Sequence, residues 1–205
     1  MDKIFDLKKI IINTLDSNKA LDIVSIDLEN KLSLKIKKTG ILGGTFDPAH
    51  KGHLKISKEA KKKFNLHNII WAITKKNPLK KKSNLDLNYR IKFAKKIAKK
   101  SKFIKIKFYE EKIRSNKTID LINYLKKNNK KLDIYFIMGA DNLINFHKWH
   151  KWKLISQKCN ILVFDRQGYK AKSLKSVTFK QLNQKTLKFI KFKKVNISSS
   201  QLRKI

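Results

Sequence analysis

Cysteine, proline, glycine and acidic residues are all scarce in this 205-residue chain. A single cysteine, Cys159, excludes an intramolecular disulfide and fits a reducing compartment. It lies in the apolar run from Cys159 to Phe164, which assigns it to buried core rather than to nucleophilic chemistry. No apolar run approaches the roughly 18 residues of a membrane span. The start, Met1-Asp2-Lys3-Ile4, lacks the basic, then apolar, then small-residue layout of a signal peptide. A soluble cytoplasmic protein is the expectation. Acidic residues number 15 against 51 basic ones, a formal charge of +36. Such an excess ordinarily points to nucleic acid or an anionic surface. Here only four of the basic residues are arginine (Arg90, Arg114, Arg166 and Arg203), and the lysines run the whole length beside abundant Ile and Asn. All three of those residue types have A/T-rich codons, so genome composition accounts for the excess as well as a dedicated partner does.

The scarce residues are concentrated. Of six glycines, three fall within Gly43-Gly44-Thr45-Phe46-Asp47-Pro48-Ala49-His50-Lys51-Gly52-His53-Leu54, and Gly40 lies just upstream. One of the two prolines is there as well. Glycine costs backbone entropy and belongs where the chain turns tightly or approaches a ligand closely. Residues 34–42 alternate apolar and basic before turning apolar, as a strand does. From Gly52 to Phe64 the apolar residues Leu54, Ile56, Ala60 and Phe64 keep near-helical spacing. The stretch therefore predicts a strand, a Gly-rich turn and a helix N-terminus, which together can cradle phosphate. His50 and His53, three apart, share one face at that helix start, where free N–H groups and the positive end of the helix dipole also point. Capping or surface roles are the plainer alternative for both.

This stretch resembles the GxFDPxHxGH signature of the nucleotidylyltransferase superfamily and matches it at every position. The resemblance implies a Rossmann-like, doubly wound parallel α/β domain that joins a nucleoside triphosphate to a phosphate-bearing acceptor. It implies that Gly43, Gly44, Thr45 and Phe46 help seat the nucleotide, and that His50 and His53 are catalytic, donating hydrogen bonds to triphosphate oxygens. The domain is expected over residues 34–205. Residues 1–33 read as an N-terminal extension of unassigned role, with a helical stripe at Leu7, Ile10, Ile11, Thr14 and Leu15. Its residues 15–24 loosely resemble the opening of the ribosomal silencing factor family without the rest of that domain, and a packed extension is the simpler reading.

Further along, residues 68–74 predict a second strand leading into Asn77-Pro78-Leu79-Lys80. An Asn-Pro turn at a strand's carboxyl end lies where open α/β sheets bind ligands, although a solvated loop would read the same way. The superfamily's Asn-Pro-x-x-Lys-like element makes Asn77 and Lys80 candidate contacts to substrate phosphate. A helix is expected from Tyr89 to Lys100 and a strand from Phe103 to Tyr109. Next, Ser115-Asn116-Lys117-Thr118-Ile119-Asp120-Leu121 opens another helix. The family's Ser-Tyr-Thr-x-Asp-Thr-Leu matches at Thr118 and Asp120, and Thr118 also suits a helix cap. A strand over residues 132–138 leads to Gly139-Ala140-Asp141. Gly139 and Asp141 match an element that meets ribose and nucleotide, and Trp149 follows Gly139 by ten residues. That Gly-x-Asp and tryptophan spacing is similar to the nicotinate mononucleotide branch, in which the tryptophan stacks on the pyridine ring. Trp152 is assigned to core. Thr118 and His150 would offer N–H groups to the nicotinate carboxylate. A fifth strand over residues 159–164 ends in Asp165-Arg166-Gln167-Gly168, where the family has Arg-Pro-Gly; Gly168 keeps the turn. Residues 170–194 are polar with a last strand at 188–193.

Near the end, Ile197-Ser198-Ser199-Ser200-Gln201-Leu202-Arg203 resembles the family's Ile-Ser-Ser-Thr-x-x-Arg, which binds ATP phosphates. Ser198, Ser199, Ser200 and Arg203 are its candidates here; a helix cap and solvated tail are the alternative. The resemblance implies adenylyl transfer from ATP to nicotinate mononucleotide, giving deamido-NAD and pyrophosphate. Mg²⁺ would be carried by the phosphates, since no Asp/Glu cluster suggests a protein-built cage. Rival acceptors are nicotinamide mononucleotide and pantetheine phosphate, and a rival class is a basic RNA- or ribosome-associated protein. Small-molecule substrates are the expected partners, with a homo-oligomer possible, no membrane, and no dedicated nucleic acid.

Overall fold

Short runs of consecutive apolar residues, as in β-strands buried on both faces, decide the architecture. The computed structural model describes residues 36–76, 85–182 and 185–192. Two compact units divide the chain, Met1–Lys37 and Lys38–Ile205, and all described residues but Ile36 and Lys37 belong to the second. Six strands, β1 (Lys37–Gly44), β2 (Asn68–Ile73), β3 (Ile104–Phe108), β4 (Leu132–Gly139), β5 (Asn160–Phe164) and β6 (Leu187–Ile190), form one sheet. Their order is β3-β2-β1-β4-β5-β6. Ile41 lies beside Ile70, Trp71 beside Ile106, Ile137 beside Leu162 and Val163 beside Phe189, all in parallel pairs. Parallel neighbours need crossover connections. The longer ones are α1 (Lys51–Phe64), α2 (Leu87–Ala98), α4 (Thr118–Asn128) and α6 (Trp152–Lys158), with α3 (Glu110–Ile113) and α5 (Ala140–Ile144) as short pieces.

Both faces of the sheet are buried, which is why its strands read as near-continuous apolar runs. Ile41, Ile70, Phe136, Met138, Ile161 and Val163 face one core, covered by Ile119 and Ile122 of α4 and Ile155 of α6. The residues between them, Leu42, Ile69, Trp71, Ile137, Leu162 and Phe164, face a second core with Ala60 of α1 and Ala94 and Ala98 of α2. Each fully buried Ile, Leu or Val side chain contributes roughly 1.5–3 kcal/mol. Gly40 allows that packing. A Cβ there would come within 3.0 Å of Ile137, Ile69 and Leu66. On the edge strand β3 the outward Lys105 and Lys107 are exposed, a charge pattern that discourages pairing with another chain. The doubly wound, Rossmann-like fold is the one the sequence predicts.

Several boundaries differ from expectation. β1 runs through Gly43 and Gly44, so the turn begins at Thr45. Its left-handed residue is Phe46, with φ 48°, rather than a glycine. Cys159 does not open β5; it ends α6, where its Sγ donates to the Ile155 carbonyl at 3.1 Å. The polar stretch after residue 169 forms two short helices, α7 (Lys170–Leu174) and α8 (Val177–Gln181). Ser176 caps α8 by accepting from Phe179 N at 3.2 Å, a signal its Ser-Val-Thr context carried. The last strand starts at Leu187 and ends at Ile190, with Leu187 and Ile190 buried on opposite faces.

Candidate active site

The winding reverses between β1 and β4, whose onward connections leave toward opposite edges of the sheet. Open α/β sheets bind ligands in the crevice at such a switch point, outside the carboxyl ends of the strands. There Gly43 and Gly44 end β1 and Gly139 ends β4. Gly43 is exposed, and a Cβ there would make ordinary van der Waals contact with Phe136 at 3.5 Å. At Gly139 a Cβ would come within 2.5 Å of Asp141 Oδ1, so the glycine is what lets Asp141 fold back over the strand end.

The turn after β1 packs inward. Phe46 is buried and stacks on Trp71 at 5.1 Å, with planes 19° apart. Trp71 Nε1 donates to Ser57 Oγ at 2.8 Å, which ties that wall to α1. Asp47 is also buried, and its Oδ1 accepts from Leu85 N at 3.1 Å. The Asp47–Pro48 peptide is cis.

His50 is the N-cap of α1, and the capping and functional readings of the pair merge. Its Nδ1 accepts from Gly52 N at 3.1 Å, and His53 Nδ1 accepts from His50 N at 3.1 Å, a reciprocal capping box. An accepting Nδ1 has no proton, so in each neutral ring Nε2 carries the N–H. The rings lie 3.9 Å apart, with His53 4.7 Å from Phe46 and 5.9 Å from Trp71. Burial lowers the His50 pKa to about 4, with the Arg166 cation adding to the effect. Burial also lowers that of His53, followed by His50 and then Arg166. Both imidazoles are therefore neutral N–H donors at neutral pH. No acidic residue stands in the first turn of α1, so nothing on the helix competes with an incoming anion for its positive end.

Arg166, beyond β5, enters this group although sequence reasoning left it out. Its Nη1 meets Asp141 Oδ2 at 2.6 Å, and its guanidinium lies over the Tyr169 ring at 5.8 Å. The signal available was its place at a strand's carboxyl end beside Gly168, which has φ 78°. The structure thus gathers His50, His53, Asp141 and Arg166 together. Trp149 packs against the other core, while Thr118 is half-buried at the first position of α4. Trp149 is half-buried, edge-on to Phe136 at 5.9 Å and to Phe146 at 5.2 Å. Trp152 is equally half-buried and edge-on to Phe146 at 6.1 Å, so burial does not separate the two tryptophans. Thr118 is not a cap. Lys117 occupies that position, and Ser115 Oγ supplies the local hydroxyl, accepting from Lys117 N and donating to Asp120 Oδ2 at 2.6 Å. His150 is exposed. Asn77, Lys80, Ser198, Ser199, Ser200 and Arg203 lie outside the described residues. Among the described residues no three His, Cys, Asp or Glu side chains gather as a metal site would, and no helix is long and apolar enough to cross a membrane.

The cytidylyltransferase-like family model matches residues 41–205. A Pelagibacter ubique protein named "Probable nicotinate-nucleotide adenylyltransferase" is 74% identical over 86% of this chain and 98% of its own length. One of the same name from Bradyrhizobium sp. ORS 278 is 40% identical over 63% of this chain and 67% of its own length. Among solved structures, the Plasmodium falciparum nicotinic acid mononucleotide adenylyltransferase complexed with NaAD superposes with TM-score 0.66 at 21% identity, covering 82% of this chain and 83% of that one. At that identity the likeness speaks for the fold.

Proposed function

This chain belongs to the cytidylyltransferase-like family, and we propose that it transfers the adenylyl group of ATP to nicotinate mononucleotide, in NAD biosynthesis. One observation carries the reading: the 74% identity that extends over 98% of a relative named for that reaction. The geometry at the switch point supports it. An oxygen of the acceptor's phosphate forms a bond to the α-phosphorus while the bond from that phosphorus to the bridging oxygen breaks. The electron pair leaves with pyrophosphate, and the products are deamido-NAD and pyrophosphate. Little covalent work falls to the protein, so positioning and charge stabilisation are its means.

Charge builds on phosphate oxygens during this displacement, and His50 and His53 meet it as fixed, neutral N–H donors. The capping box holds both rings before substrate arrives, so no reorganisation is needed when charge develops. Gly43, Gly44, Thr45 and Phe46 form the floor under the nucleotide, with the exposed backbone of Gly43 beneath it. Asp141, held by Arg166, faces the ribose beside Gly139. Ser198, Ser199, Ser200 and Arg203 hold the β- and γ-phosphates. Asn77 and Lys80 take the acceptor phosphate, while Trp149 stacks on the pyridine ring with Thr118 and His150 at its carboxylate. Mg²⁺ travels on the triphosphate, a role that suits a site whose Asp141 is already engaged by Arg166. The enzyme works in the cytoplasm.

The test is pyrophosphate release from ATP with nicotinate mononucleotide, run beside nicotinamide mononucleotide and pantetheine phosphate. The acid substrate is expected to give the highest kcat/KM. Equal or greater release with either rival would overturn the acceptor assignment, and no release with any of the three would overturn the reaction.

A further inference from the structure

Among the described residues the buried charged side chains are Asp47 and Arg90, 5% and 2% exposed. Asp47 belongs to the signature turn, whereas Arg90 lies on α2, outside every motif singled out above. A buried guanidinium is costly unless its donors are met, so its partners explain its place. Arg90 Nε donates to the Leu85 carbonyl at 3.0 Å, and Nη2 to that of Lys75 at 3.2 Å. Nη1 donates to the Thr74 carbonyl at 2.8 Å and to that of Thr45 at 2.5 Å. These four carbonyls come from three separate segments: the turn after β1, the end of β2, and the approach to α2. A planar fork with several N–H groups can span them; a lysine ammonium, a compact point charge, cannot.

Thr45 immediately precedes Phe46, whose φ of 48° is an uncommon conformation for a bulky residue. Such a conformation persists only where the surroundings over-determine it. Two restraints do so here. Arg90 holds the carbonyl on one side of Phe46, and the Phe46 ring is pinned between Trp71 and His53. The backbone then reaches His50 within four residues, with Asp47 fixed on the way by Leu85 N. We propose that Arg90 is a positioning residue for adenylyl transfer, setting the signature turn so that the His50 and His53 rings stand where the triphosphate meets them. This rests on the reading of those histidines as phosphate donors, and the test keeps the two apart.

Arg90→Lys in the full chain is compared with wild type for kcat, both KM values and melting temperature. His50 titration is followed by NMR without substrates. Because misplacement by about 1 Å can cost on the order of a hundredfold, kcat is expected to fall roughly ten- to a hundredfold while both KM values stay within threefold. His50 should titrate above about 4 as the loosened turn admits water. In a background lacking both imidazoles, His50→Asn with His53→Ala, the same Arg90→Lys change should lower kcat less than threefold, both donors being already gone. An unmoved His50 titration, or a full further loss of kcat in that background, would overturn the proposal. Should His53→Ala alone match wild type, the donor reading falls, while the His50 titration still decides whether Arg90 sets the turn. If Arg90→Lys does not fold, Arg90→Gln, which keeps two N–H donors, carries the same measurements.

Discussion

Acid should loosen this protein at a nameable residue, His50. Its pKa is lowered to about 4 by burial and the nearby Arg166 cation, against about 6.5 in an unfolded chain. Between those values the unfolded state binds the proton and the folded state does not, so stability rises with pH across the window. The contribution is whole above pH 6.5 and is lost as the pH falls toward 4. At pH 5 the two pKa values correspond to about 2 kcal/mol relative to pH 7.5. Part of the ring meets solvent, which screens the penalty, and about 1 kcal/mol is the better expectation. The structural cause is specific: a proton on Nδ1 removes the acceptor for Gly52 N and sets N–H against N–H at the start of α1. His50→Asn separates the roles, since asparagine is a favoured N-cap and does not titrate. The assay is urea unfolding of both proteins at pH 5 and pH 7.5. Wild type should lose about 1 kcal/mol more than the variant on acidification, or about 2–4 °C in Tm for a domain of this size. His53, whose pKa His50 also helps to lower, is relieved of that neighbour in the variant, which adds to the difference. The same pH dependence in both proteins would refute the reasoning. The variant should also lose kcat at pH 7.5, because it keeps the cap but not the imidazole N–H.

Other changes test other parts of the site. His53→Ala should lower kcat on the order of 10²–10³ with little change in either KM; a kcat within threefold of wild type would remove His53 from the mechanism. Trp149→Ala should raise KM for nicotinate mononucleotide, with Trp149→Phe retaining part of the binding. Losing its edge contacts with Phe136 and Phe146 should cost about 0.5–1.5 kcal/mol per aromatic pair in stability. An equal loss of ATP affinity would tell against stacking on the pyridine ring. Gly139→Ala should displace Asp141 from Arg166 and raise KM for ATP, because the new Cβ would sit 2.5 Å from Asp141 Oδ1. Unchanged ATP kinetics would show that Asp141 does not meet the nucleotide.

The central strands were legible because burial on both faces leaves apolar runs with scarcely a polar interruption, and the glycine-rich signature located the switch point between them. The turn was placed two residues early. Local propensity offers glycine as the turn-maker, whereas the left-handed position falls on Phe46, held there by tertiary contacts that no local propensity encodes. A cap is the plainer alternative for Thr118, because hydroxyls favour caps, but it is Ser115 that accepts from the backbone there. Arg90 left a readable trace: it precedes Ala94 and Ala98 by four and eight residues on the buried stripe of α2, a place where an arginine must have partners. Arg166 gave less warning, since its ion pair with Asp141 joins residues brought together only by the order of β4 and β5. Histidine tautomers are beyond any sequence pattern, because they follow from which backbone N–H each ring accepts.

The two cores also constrain how this chain can change in length. Each strand is written in two interleaved frames, so that Phe136 and Met138 belong to one core and Ile137 to the other. Deleting a single residue inside β4 would exchange the frames for the rest of that strand, sending Met138 toward α1 and α2 and disturbing both cores at once. Substitutions on one face, by contrast, leave the other face's packing intact and should combine with changes there almost additively. Insertions and deletions are therefore admissible only in the connections. Even there the stretch from Thr45 to His53 is closed to them, because a one-residue shift would part the two imidazoles from the backbone groups that hold them.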